Sequence, residues 1–136
     1  MTDFEMITVF MELVSTLWTV FATYVSIVFA FLVVSFMASG KLRSGLVSIV
    51  IFLYSLVSLW ALWAMNRGSV SLVGAAREMK RQIQDGSSSL GWHPAANTPE
   101  FVLAIIPFVV TLVGLLAYGG SLLFFFYQRR AERAST

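Results

Sequence analysis

The chain has 136 residues, of which 58% are hydrophobic and only 12% are charged, and its formal net charge is +2. Soluble domains carry roughly 25% charged residues, and a chain this small could not cover so much apolar surface in water. These values exclude an ordinary soluble domain and indicate that the chain resides in lipid. The basic residues lie at segment ends rather than in one stripe, which disfavours nucleic-acid binding.

Three apolar blocks predict three transmembrane helices, at about residues 7–38, 45–65 and 99–127. Each block is long enough for a hydrocarbon core of about 30 Å, which takes about 20 helical residues. Open strands would leave backbone groups unpaired in lipid, and barrel strands would be short and alternating. The predicted fold class is therefore an all-α membrane protein, with residues 1–136 forming a single integral membrane domain.

The first apolar block is longer than a bilayer requires. Thr2 and Glu5 have the spacing of a capping box, in which a hydroxyl and a carboxylate accept hydrogen bonds from free backbone amides at a helix start. The sequence therefore predicts one helix from about Thr2 to Ala38. Its membrane-embedded part is expected to begin near Trp18, because tryptophan favours the membrane interface.

The two connections between the predicted helices differ in length. Residues 39–45 contain two glycines and predict a tight turn, so that the first two helices form a helical hairpin. The chain is expected to leave the membrane at 66–68, which gives an extramembrane loop over 66–98. Within this loop, apolar residues recur at helical spacing opposite a basic face, and this pattern predicts an amphipathic loop helix between the second and third transmembrane helices. The apolar residues are Leu72, Ala76, Met79 and Ile83.

Basic residues near the ends of the apolar blocks predict the orientation, because short cytoplasmic segments carry an excess of Lys and Arg. One side of the predicted bundle carries Lys41, Arg43, Arg129, Arg130 and Arg133. On the other side only Arg67 lies close to a membrane-spanning end. We therefore expect the C-terminus in the cytoplasm and the N-terminus outside, in a bacterial inner (plasma) membrane.

All three predicted helices carry polar or small residues at alternating three- and four-residue spacing, which puts each set on one helical face. The candidate helix-packing or pore-lining residues are Glu12, Ser15, Thr19, Thr23, Ser26, Ser48, Ser55, Thr111, Gly114, Tyr118 and Ser121. The favoured interpretation is helix packing, because such residues let membrane helices approach closely and hydrogen-bond across the contact. The alternative is a hydrated path, which needs several copies because three helices cannot enclose a pore. Both interpretations predict oligomerisation.

Glu12 is the only acidic residue inside an apolar block. An ionisable group within the membrane indicates a functional site. If the membrane-spanning part begins near Trp18, however, Glu12 lies about 9 Å beyond it along the helix, where headgroups and water solvate its charge. The headgroup position is the favoured interpretation.

The sequence predicts no catalytic, cofactor-binding or metal-binding residues. There is no cysteine, and the sole histidine, His93, has no other metal-ligating residue at ligand spacing. The leading hypothesis is a structural or interaction protein, not an enzyme, whose partners are the lipid bilayer and either copies of itself or another membrane protein. The alternative is a homo-oligomeric ion channel or transporter, lined by Glu12 and the hydroxyl groups of the first helix.

Overall fold

A computed structural model of the chain describes residues 2–38 and 41–135. Three long helices dominate these residues: α1 (Asp3–Ala38), α2 (Ser44–Gln84) and α3 (Glu100–Ala134). Each is long and apolar enough to cross a membrane. Their large apolar side chains, such as Phe29 and Leu123, are 67% and 73% exposed, which is compatible with an integral membrane protein. The all-α class and the three helices of membrane-spanning length are thus confirmed.

The start of α1 follows from its first residues. The amide of Thr2 donates to Oε2 of Glu5 at 2.7 Å, and the amide of Glu5 donates to Oγ1 of Thr2 at 3.2 Å, so the predicted capping box is confirmed. At the other end, the amides of Lys41 and Leu42 donate to the carbonyl of Ala38. Two residues of the predicted turn, Ser39 and Gly40, lie outside the described residues.

The chain divides into two packing units. The first unit comprises residues 2–20 and 64–111, and the second unit comprises 21–38, 41–63 and 112–135. Because the helices are long, each of them contributes one segment to each unit. The single membrane domain over residues 1–136 stays a prediction.

The predicted amphipathic loop helix is not supported, because residues 66–84 continue α2. Gly68, one of the residues predicted to leave the membrane, lies within α2 and allows close packing: an added Cβ would lie 3.1 Å from Cδ1 of Leu17. The helix ends before Gly86, whose φ of 73° lies in the left-handed region that favours glycine after a helix. An amphipathic pattern alone does not reveal whether a helix stands apart or extends its neighbour.

The apolar face predicted for the loop packs into the core of the first unit. Met79 is fully buried and Ala76 is 2% exposed. They join a cluster that includes Met6 of α1 and Leu103 of α3. Two short 3-10 turns, Leu90–Trp92 and Pro94–Asn97, connect α2 to α3.

Polar contacts at the surface of the first unit hold the segment that connects α2 to α3. Arg77 pairs with Glu100 at 2.7 Å, and Nζ of Lys80 donates to the carbonyl of Thr98. Asp3, which precedes the apolar block of α1, accepts hydrogen bonds from the hydroxyl and the amide of Ser89 at 2.6 and 3.1 Å. These hydrogen bonds, with one from Ser88, lower the pKa of the Asp3 carboxyl.

Aromatic rings form the core of the second unit. The rings of Phe31 and Tyr54 stack with their centroids 3.8 Å apart. Phe31 also contacts Phe125, and the centroids of these two rings are 5.5 Å apart. Val47 completes this buried cluster. The core positions the hydroxyl of Tyr54 beside that of Ser121 on α3.

Candidate functional site: a buried hydroxyl cluster and an exposed polar face

A chain of hydrogen bonds joins α2 and α3 in the second unit. The hydroxyls of Tyr54 and Ser121 are 2.5 Å apart, and Ser121 donates to the carbonyl of Tyr118 at 2.7 Å. Because the single proton of Ser121 is used in that bond, Tyr54 must donate to Ser121. The Tyr118 hydroxyl in turn donates to Oγ of Ser55 at 2.7 Å. Three residues of the predicted stripes, Ser55, Tyr118 and Ser121, are therefore brought together by direct contacts.

Both α1 and α2 contact α3 at Gly114 in the second unit. The hydroxyl of Tyr24 on α1 donates to the Gly114 carbonyl at 2.6 Å. An added Cβ on Gly114 would lie only 2.0 Å from Cδ2 of Leu62 on α2. The residue must therefore be small for this contact, which agrees with the close helix approach expected of small residues in membrane bundles.

The first unit has its own polar link between α2 and α3. Nδ2 of Asn66 donates to Oγ1 of Thr111 at 2.8 Å, and Thr111 donates to the carbonyl of Pro107 at 2.8 Å. Asn66 also accepts, through its backbone carbonyl, a hydrogen bond from the fully buried Ser69. Asn66, where the sequence predicts that the chain leaves the membrane, thus makes a contact between α2 and α3, and the exit itself stays a prediction.

The predicted stripe on α1 lies on the exposed side of that helix. In the first unit Glu12, Ser15 and Thr19 are exposed, whereas Met6 on the same helix is 4% exposed. The Thr19 hydroxyl donates to the carbonyl of Ser15 at 3.0 Å. A hydroxyl that donates to a carbonyl of its own helix has its proton hydrogen-bonded without a partner helix, and its side chain projects little from the helix surface.

The same stripe continues along α1 in the second unit. Thr23 and Ser26 are exposed, and Ser26 donates to the carbonyl of Ala22 at 2.9 Å. Tyr24, by contrast, is 3% exposed. Two residues of helix separate Tyr24 from Ser26, which sets them about 160° apart around the helix axis. We call the five residues Glu12, Ser15, Thr19, Thr23 and Ser26 the exposed polar face of α1.

Two serines of α2 behave differently from the predicted stripe. Ser48 is exposed and donates to the carbonyl of Ser44 at 3.3 Å, so it makes a local contact. Ser58 is fully buried, and its hydroxyl has no hydrogen-bond partner among the described residues. The helix-two stripe is therefore split between an outward position at Ser48 and inward positions at Ser55 and Ser58.

His93 has a structural position in the loop. Its Nδ1 accepts a hydrogen bond from the amide of Ala95 at 3.2 Å, which caps the second 3-10 turn, and its ring meets that of Phe10 edge-on. Across residues 2–38 and 41–135 there is no group of three His, Asp or Glu side chains arranged to hold a metal ion.

The sequence did not single out two buried tyrosines that bond α3: Tyr54, which belongs to the hydroxyl cluster, and Tyr24, which donates to the Gly114 carbonyl. Each is buried, at 3% and 6% exposure. A tyrosine far from the ends of an apolar helix is a signal that could have found them, because a phenol needs a hydrogen-bond partner when it is buried.

Comparison of the chain with known proteins finds no matching family model, no matching curated protein and no matching solved structure.

Proposed function

We propose that the chain is a small integral membrane structural or interaction protein, not an enzyme, that assembles through the exposed polar face of α1. Its partner is another copy of the chain or a larger membrane complex. The observation that carries the proposal is the contrast between two polar stripes. The stripe on α3 makes contacts within the chain, through Gly114, Tyr118 and Ser121. The stripe on α1, which forms the exposed polar face, is exposed.

The exposed polar face of α1 gains more from a partner helix than the apolar faces do. Leucine and phenylalanine gain little by leaving lipid for another helix, since lipid tails are equally apolar. Small hydroxylated residues allow a second backbone to come close, and their oxygens can accept hydrogen bonds from it. Ser15 and Ser26 are exposed positions of this kind.

For location, we propose the bacterial inner (plasma) membrane with the N-terminus outside and the C-terminus in the cytoplasm. The basic residues at Lys41, Arg43 and Arg129 to Arg133 support this orientation.

Replacing Ser26 with leucine should weaken assembly. The bulky leucine would hold a partner helix away from α1. If the contact loses one hydrogen bond of about 0.6 kcal/mol, the association constant falls about threefold. We expect the wild-type protein, solubilised in mild detergent, to have a mass that is a multiple of 15.1 kDa. Multi-angle light scattering should show Ser26→Leu, and separately Ser15→Leu, shifted towards the monomer at the same concentration.

The matched control is Val25→Leu. Val25 is 48% exposed and adjacent to Ser26, yet it lies on a different side of α1. Its substitution should leave the mass unchanged. A monomeric wild-type protein would exclude self-assembly, and equal masses for all three variants and the wild type would show that the contact lies elsewhere.

Glu12 supports a second candidate function, a homo-oligomeric ion channel or transporter. Glu12 is exposed on the same face as the hydroxyls, so that a symmetric assembly would repeat its carboxylate once per copy and attract cations. We expect liposomes containing the protein to give no cation flux above empty liposomes, because the four residues of this face that follow Glu12 carry no charge to continue a path. A flux that falls in Glu12→Gln at unchanged oligomer mass would establish the channel instead.

A further inference from the structure

One end of the second unit is strongly basic. Within residues 21–63 and 112–136 there are five basic side chains and one acidic side chain, Glu132, so the net charge is 5 − 1 = +4. The basic residues are Lys41, Arg43, Arg129, Arg130 and Arg133. All of them follow the end of α1, precede α2 or belong to the last turns of α3. Such a cluster attracts anionic lipid headgroups, an effect of about 1 kcal/mol for each basic residue near the membrane surface.

Arg129 differs from the other four basic residues. It is partly buried, and its Nη1 atom is buried without a hydrogen-bond partner among the described residues. A buried donor on a charged group is costly when it is left unpaired. The guanidinium group matches the geometry of a phosphate, to which it can donate two parallel hydrogen bonds. An anionic phosphate can meet the part of this side chain that is exposed, and it would pair with Nη1 once the groups that cover that atom move aside.

An apolar groove between α1 and α3 lies next to this basic end. The groove is open, has a volume of about 890 Å³, and is lined by Val28, Leu32 and Phe36 on one side and Leu116, Gly120 and Phe124 on the other. Arg129 follows Phe124 by five residues, which is about 7.5 Å along the helix and about 140° around it, so the long Arg129 side chain has to extend around α3 to reach the groove. On α1 the lining continues to Met37, four residues before Lys41. An acyl chain in the groove would thus have its headgroup at the level of the basic residues.

We propose that the second unit binds an anionic phospholipid, with its phosphate at Arg129 and Arg130 and one acyl chain in the groove between α1 and α3. The groove alone accommodates the acyl chain of any lipid, and the basic cluster supplies the selectivity for negative charge. Gly120 keeps the groove open, since nothing lies within 4 Å of the position that its Cβ would take. The binding does not depend on assembly through α1.

Native mass spectrometry of the full chain in detergent tests the charge selectivity. Phosphatidylglycerol and phosphatidylcholine with identical acyl chains are titrated against the protein. We expect phosphatidylglycerol adducts at several-fold lower lipid concentration. Removing one basic residue should weaken phosphatidylglycerol binding about fivefold in Arg129→Gln and in Arg130→Gln. Arg81→Gln, which removes the same charge from an exposed position of the first unit, should have no effect.

A second pair of variants tests whether an acyl chain occupies the groove. Gly120→Leu fills the groove and should weaken binding of both lipids, whereas Gly119→Leu, at a neighbouring glycine that does not line the groove, should not. Arg130 is exposed, so its variant remains informative even if Arg129→Gln fails to fold. Equal affinity for the two lipids, or an equal loss in Arg81→Gln, would overturn the proposal. A lower oligomer mass in Gly120→Leu, with lipid binding unchanged, would also overturn the proposal, because a second copy of the chain would then occupy the groove.

Discussion

Replacing Gly114 with alanine is expected to destabilise the protein by about 1–3 kcal/mol, the usual range for an added methyl group in a packed interior. The new Cβ would lie 2.0 Å from Cδ2 of Leu62, which is itself only 6% exposed and has little room to change rotamer. If α3 moved away to relieve the clash, the hydrogen bond from Tyr24 to the Gly114 carbonyl would lengthen. Unfolding by denaturing detergent, followed by circular dichroism, measures the change.

Gly119→Ala is the matched control for this prediction. No atom lies within 4 Å of the position that its Cβ would occupy, so alanine should be neutral or stabilise the helix by up to about 1 kcal/mol. Shortening Leu62 to alanine should restore the space, and Gly114→Ala should cost much less in that background. Additive effects in the double variant would show that the contact between Leu62 and Gly114 is not the cause.

Phe125→Ala is expected to cost about 2 kcal/mol, less than the roughly 3–5 kcal/mol of the same change in a water-soluble core. Phe125 is fully buried and packs against Phe31 with ring centroids 5.5 Å apart. If α3 separated from the other helices in a membrane, lipid tails would still surround the Phe125 ring. The free energy of transfer from water therefore does not contribute to the cost, and only the loss of packing does. The same unfolding measurement applies.

Phe126→Ala is the control for the second prediction. Phe126 is the next residue along α3, and it is 47% exposed. Because nearly half of this side chain faces the surroundings, we expect its loss to change the free energy of unfolding by much less than Phe125→Ala does, by about 0.5 kcal/mol. Equal destabilisation by Phe125→Ala and Phe126→Ala would contradict the assignment of Phe125 to the core of the second unit.

Several features follow from the sequence without any tertiary information. The length and apolar character of the three blocks predict helices, because only a helix satisfies its own backbone over such a run in lipid. The first turn of α1 is equally local: Thr2 and Glu5 exchange hydrogen bonds across three residues, so their spacing is sufficient to predict them.

The extent of α2 was decided by tertiary packing. Residues 66–68 contain a polar residue, a charge and a glycine, which are as typical of a membrane exit as of a continuing helix. In the structure α2 continues through these residues while Asn66 meets Thr111 and Gly68 admits Leu17, and both partners are distant in the sequence. No local pattern could predict a contact whose second member lies 45 or more residues away.

Which polar stripe faces inward was also decided only by the tertiary structure. The sequence determined that α1 and α3 each carry a polar face, because helical spacing is a local property. It could not rank the two faces, since Ser26 and Ser121 carry the same hydroxyl group and both lie in long apolar helices. In the structure Ser121 is 3% exposed beside Tyr54, whereas Ser26 is exposed. The difference arises from the rotation of each helix about its own axis, which side-chain packing around Gly114 and Phe125 determines and which no single helix specifies.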